Sequence, residues 1–127
     1  MMELGQITHW GVTMTIMHAV QGSHVRVALK GDLDLKTADP LRQALDKLSD
    51  HYRDRNLLLD LSEVGFVDSS GLGVILGRYR RLAAQGRTIA IVGVRPQVRA
   101  VLELAGIDSI INVSDAARGR PETAAPH

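Results

Sequence analysis

The chain has 127 residues and no cysteine, so disulfides and cysteine chemistry are excluded, as suits a cytoplasmic protein. Its 15 basic and 14 acidic side chains leave a formal net charge of +1, which argues against strong sequence-independent binding to nucleic acid. Aromatics make up only 3% of the chain, so an aromatic stacking platform for single strands is disfavoured and the core must be built from Val, Ile, Leu and Ala. The length fits one ordinary domain, able to bury roughly two thirds of its unfolded surface without help from a metal. No run reaches the roughly 18 apolar residues of a membrane span. The N-terminal stretch MMELGQITHWG has an early acid and no apolar core of the secretory kind.

In chain order, the segment 12–17 alternates apolar and polar residues, and His24 to Lys30 does so more clearly. In the second run Val25, Val27 and Leu29 share one face, with His24, Arg26 and Lys30 on the other. Gln21-Gly22-Ser23 between the two runs is turn chemistry, and the pair reads as a hairpin. Gly31-Asp32-Leu33-Asp34 is a polar turn at the strand end. Thr37 is the expected N-cap of a helix with Pro40 near its first turn, whose apolar stripe is Leu41, Ala44, Leu45 and Leu48.

NLLLDLS, from Asn56 to Ser62, is an apolar run of strand length. A loop from Glu63 to Val67 follows, then a helix headed by Asp68-Ser69-Ser70 and ended by Gln85-Gly86. Thr88 to Val94 is the next strand. Pro96 opens a helix with Val98, Val101, Leu102 and Ala105 facing inward, Gly106 stops it, and Asp108 to Val113 is a last short strand. Residues 114–127 read as a flexible tail and residues 1–11 as an N-terminal extension. Strands alternating with helices predict an α/β class: a single domain over 12–113, with a mixed, mostly parallel sheet of about five strands packed with helices.

The serine-headed helix carries the chemistry. Its first four N–H groups have no partner within the helix, and the aligned peptide dipoles favour negative charge there. A hydroxyl at that place can cap the helix, act as a nucleophile or accept a phosphate. On a helical wheel Leu72, Ile75, Leu76, Tyr79, Leu82 and Ala83 fall in one sector, expected to face the core. Ser70, Gly73, Val74, Gly77, Arg78 and Arg81 fall opposite, with Ser69 and Arg80 at the margin, and are expected to face solvent. Gly73 and Gly77 together forgo roughly 2 kcal/mol of helix propensity. They either relieve a clash with a loop of the same domain or open a smooth strip for another protein's backbone. For Ser69 and Ser70 the plain alternative is capping, a task Asp68 could equally perform.

Enzyme readings fare poorly. None of His9, His18, His24, His51 and His127 falls in a loop after a parallel strand, where a nucleophile's base would sit, and the spacing is not the Gly-x-Ser-x-Gly elbow. Gly71-x-Gly73-x-x-x-Gly77 mimics a dinucleotide fingerprint, but its glycines run into the helix body and no acid ends the strand Thr88 to Val94. The basic run Arg78, Arg80, Arg81, Arg87 reads as a solvated face or, more sharply, as a dock for an acidic partner.

The segment LLLDLSEVGFVDSSGLGVILGRYRRLAAQG resembles the signature of STAS domains, the anti-sigma factor antagonists of bacteria, and most of all the sporulation type that frees sigma-F. The resemblance runs from about Val12 to Val113 and takes in the turn Gly31-Asp32-Leu33-Asp34 and the helix ending LELAGI. It implies a cytoplasmic regulator with no catalytic residue, cofactor or metal and no direct contact with nucleic acid or membrane. The serine after the aspartate, here Ser69, is implied to be phosphorylated by an anti-sigma factor that is a serine kinase, and to be restored by a dedicated phosphatase. The unphosphorylated form would bind the kinase and release the sigma factor. Asp32, Asp34, Asp68, Ser70, Gly71, Gly73, Val74 and Gly77 are the expected partner-binding residues. An antagonist in a general-stress sigma pathway would share the switch; a scaffolding or sensor STAS domain would lack it. The usual closing helix of the family is missing from SDAARGRPETAAPH, and residues 1–11 exceed the usual start.

Overall fold

A computed structural model describes the backbone of residues 3–9 and 12–115, and the side chains from Met14 to Asp115. The elements are β1 (Glu3–His9), β2 (Val12–Gln21), β3 (His24–Lys30), α1 (Leu35–His51), β4 (Asn56–Glu63), α2 (Ser69–Ala83), β5 (Ile89–Val94), α3 (Pro96–Leu104), a 3-10 turn (Ile107–Ser109) and β6 (Val113–Asp115). They form one mixed sheet in the order β1-β2-β3-β4-β5-β6. The β1–β2 and β2–β3 pairs are antiparallel, and the three pairs from β3 to β6 are parallel.

The expected hairpin forms in register, with Gln21 opposite His24 and Gly22 at φ 60° in the turn. From β3 onward each strand is followed by a helix and the next strand lies on the same side of the last. Right-handed crossovers of that kind put all three helices on one face of the sheet. One core results, joining Val25, Val27, Leu29, Leu57, Leu59, Leu61, Ile89 and Ile91 of the sheet to Leu41, Leu45, Ile75, Leu82, Val98 and Leu102 of the helices. The other face carries the half-buried Arg26, Leu58, Asp60 and Val92.

Three expectations need correction. Asp34, not Thr37, caps α1: its Oδ1 accepts from the N–H groups of Lys36 and Thr37, while the Thr37 hydroxyl accepts from the Asp34 N–H at 3.1 Å. That reciprocal box satisfies orphan donors that Thr37 alone would leave free. The last strand is Val113–Asp115 rather than Asp108 to Val113, because Gly106 (φ 76°) ends α3 and the chain then turns once more at Ile107–Ser109. Residues 3–9, expected only as an extension, pair with β2 as a strand at the sheet edge. Of the expected tail, residues 116–127 lie outside the described residues.

Candidate functional site

The site is assembled where β3 and β4 run out. Beyond their last pairing the two chains stay joined by a single parallel bridge between Leu33 and Val67. The Leu33 N–H donates to the Phe66 carbonyl at 2.9 Å, and the Leu33 carbonyl accepts from the Asp68 N–H at 3.0 Å. Leu33, Val64 and Val67 are buried and anchor the loop. In the register of that bridge Asp32 lies alongside Phe66, and Asp34 alongside Asp68. Both aspartates are N-caps, so α1 and α2 begin side by side and their positive dipole ends converge.

Asp68 takes the capping role on α2. Its Oδ1 accepts from the N–H groups of Ser70 at 2.8 Å and Gly71 at 3.1 Å. Ser69 is the first residue of the helix and is exposed, and among the described residues no protein group is hydrogen-bonded to its hydroxyl. Ser70 is half-buried. Of the three roles open to a serine here, capping is therefore already performed by a neighbour. A nucleophile would need a base. His18 and His51 pack edge-on against Tyr52 and His24 bonds to Ser23, all towards the opposite end of the strands, His9 lies on edge strand β1, and His127 is outside the described residues. What remains is an outward hydroxyl over a positive helix end.

The exposed face of α2 is turned by roughly a quarter of a circle from the expected one. Gly71, Val74, Ile75 and Leu82 point inward, with Leu72, Leu76 and Tyr79 against the core margin, while Ser69, Gly73, Arg80 and Ala83 face out. Val74, expected at the partner surface, is only 5% exposed. Gly71 is also buried: a Cβ there would stand 2.5 Å from the Leu33 carbonyl oxygen, so its close approach is to its own domain. Gly73 and Gly77 behave differently. A Cβ on either would meet nothing within 4 Å, and no intramolecular clash accounts for them.

The turn of the helix is set by α1. Asp46 on α1 meets Arg78 at 2.9 Å, without the alignment of a hydrogen bond, and Arg81 at 2.6 Å; Arg81 also reaches Asp50 at 3.0 Å. Burial pulls the Arg78 guanidinium below its ordinary range, and the Asp46 charge opposes this. Arg87 is buried and donates to the carbonyls of Ser49, Tyr52 and Arg55. Only Arg80 of the expected basic face is a solvated cation; the others tie α1 to α2 or close the end of α1. A cavity of about 380 Å³ lined by Asp50, Arg53, Arg81, Gln85 and Arg87 sits there, at the far end of α2 from Ser69, with much of its donor capacity consumed by these contacts.

A family model described as "Mlab, STAS domain" matches residues 16–112. The chain belongs to the STAS-domain family. It is 37% identical over 89 residues to an anti-sigma F factor antagonist of Paenibacillus polymyxa, a match covering 70% of this chain and 76% of the relative. This STAS domain is also similar to a crystal structure of an anti-sigma factor antagonist from Mycobacterium paratuberculosis, at TM-score 0.72 and 26% identity, covering 80% of this chain and 85% of that one. It shares its fold with the anti-sigma factor antagonist SpoIIAA, at TM-score 0.66 and 21% identity for the unphosphorylated form, with 91% of each chain covered. For the phosphorylated form of SpoIIAA, a Bacillus protein, the values are 0.59 and 20%, covering 91% of this chain and 95% of that one. No helix among the described residues is long and apolar enough to cross a membrane.

Phe66 and Leu35, both exposed beside Ser69, escaped the sequence reading. Strict alternation over Val64-Gly65-Phe66-Val67 would put Phe66 on the face of Val64, so no local pattern marked it as exposed.

Proposed function

We propose that this STAS domain is an anti-sigma factor antagonist working as a phospho-switch. Unphosphorylated, it binds an anti-sigma factor that is a serine kinase and so releases the sigma factor; phosphorylation of Ser69 ends the binding, and a phosphatase reverses it. The observation that carries the reading is the exposed Ser69 hydroxyl, freed from capping by Asp68. The names of its relatives support the antagonist role, and the two forms of SpoIIAA support a switch that leaves the fold standing.

The physics favours blocking over refolding. A phosphoryl group adds about −2 charges and strong acceptor oxygens. At the start of α2 those charges meet a favourable dipole, so the domain keeps its shape. Buried unpaired beneath a partner, and crowded by Asp32, Asp34 and Asp68, the same dianion costs several kcal/mol. A loss of about 4 kcal/mol is about a thousandfold in affinity. Gly73, and Gly77 one turn on, leave that surface low enough for another backbone to approach.

The test is to incubate the protein with its cognate anti-sigma factor and ATP and map the modified residue by mass spectrometry. Phosphate on Ser69, lost in Ser69→Ala with binding retained, is the expected result. Ser69→Asp should weaken binding at an unchanged melting temperature. Modification elsewhere, or none, removes the proposal and leaves a scaffolding or sensor domain.

A further inference from the structure

We infer that Phe66 and Leu35 are paired apolar anchors of the docking face, and that the partner receives them in apolar sockets rimmed by Lys or Arg. This rests on the reading of Ser69 as the switch, and extends it from the modified atom to what holds the partner in place.

Phe66 is the sole phenylalanine of a chain whose core is short of aromatics, yet it is 51% exposed. Leu35, the first residue of α1, is 77% exposed. Neither is loosely held. The Phe66 carbonyl accepts from the Leu33 N–H; Val64 and Val67 on either side are buried; and Leu35 follows directly on Asp34, the cap of α1. Two large apolar groups are thus fixed in water on the loops that present Ser69. A few anchors seated in well-packed pockets inside a polar ring, aromatic ones above all, dominate binding at protein interfaces, and contiguous apolar patches with a polar rim mark such sites.

The rim decides the partner's charge. Asp32 and Glu63 are exposed, Asp34 and Asp68 half-buried. Against these stand Lys30, opposite Glu63, and Lys36, both exposed, and Arg95, whose guanidinium is occupied by the Ser62 carbonyl at 2.8 Å and by Glu63 at 3.7 Å. The surplus is negative. A second copy would oppose one acidic rim with another, whereas a basic surface would be steered in and held.

The experiment measures the affinity of unphosphorylated wild type, Phe66→Ala, Leu35→Ala and Asp32→Asn for the cognate anti-sigma factor, alongside phosphate transfer to Ser69. Phe66→Ala should raise Kd at least about tenfold and Leu35→Ala several-fold, with the melting temperature unchanged for Leu35→Ala and only slightly lowered for Phe66→Ala, whose ring is half-buried. Wild-type binding should weaken as salt rises from about 50 to about 300 mM, less steeply for Asp32→Asn. Variants binding within about twofold of wild type, with Ser69 still labelled, would overturn the anchors and leave the switch standing. A wild type that neither binds nor is labelled would overturn both. A self-association abolished by Phe66→Ala at unchanged Kd would assign the anchors to a second copy and overturn the hetero-partner.

Discussion

Gly71 sits beneath Leu33 so closely that a Cβ on the glycine would lie 2.5 Å from the Leu33 carbonyl oxygen and 2.7 Å from the Leu33 Cβ. The start of α2 is thereby pressed onto the strand extension that carries Asp32 and Asp34. Gly71→Ala must push the two apart, and overpacking of this kind costs about 1–3 kcal/mol. Gly73→Ala and Gly77→Ala meet open space and should instead gain up to about 1 kcal/mol each from helix propensity. Thermal melting should therefore fall for the first and rise for the other two. Binding to the anti-sigma factor should weaken for all three, for opposite reasons.

The cap of α2 is separable from the switch. Asp68→Ala removes the acceptor for the Ser70 and Gly71 N–H groups and should cost about 1 kcal/mol, some 3–5 °C in melting temperature for a domain of this size. Ser69→Ala removes an exposed hydroxyl that caps nothing and should change stability by less than about 0.5 kcal/mol. Equal losses in the two variants would mean that Ser69 shares the cap.

Asp46 holds two arginines of α2 at once. Its side chain is 24% exposed and that of Arg78 only 12%. Asp46→Ala leaves Arg78 charged, largely buried and unpaired, at about 3 kcal/mol, the lower end of the range for broken buried pairs because water still reaches the carboxylate. Combining Asp46→Leu with Arg78→Met should restore most of the loss, since neither charge is then stranded. Chemical denaturation of the single and double variants measures both.

Asp60 gives the acid limb of stability. Burial works against its charge, but the Ser62 hydroxyl and N–H and the Arg26 guanidinium at 2.7 Å outweigh it and hold the carboxyl below its ordinary value of 3.8. Gly93, at φ 76°, leaves room for this group: a Cβ there would stand 2.9 Å from Asp60 Oδ1. A carboxyl lowered on folding contributes stability that is present above the unfolded value and disappears as pH falls through the folded one. The gap in melting temperature between wild type and Asp60→Asn should thus be constant above about pH 5 and close below about pH 4. A gap that widens in acid would reverse the sign and discard this account.

The sequence alone determined the order of strands and helices from β2 to α3, the hairpin, the parallel core and the helix start that carries Ser69, but not the edge strand β1 or the place of β6. These follow from periodicity and turn chemistry, which act over a few residues. It did not determine which way α2 rolls. Wheel positions separate apolar from polar, but Val74 and Arg78 point inward because Asp46 on α1 and Leu33 on the strand extension claim that side. Nor did it reveal that Asp34 caps α1, choose Asp68 over the two serines as the cap of α2, or show that Phe66 and Leu35 stand out beside Ser69. Those facts depend on Leu33 and Val67, 34 positions apart in sequence, being bridged by backbone hydrogen bonds. Local patterning sets what each segment becomes; which side chains remain in water is decided only when distant segments compete to cover one another.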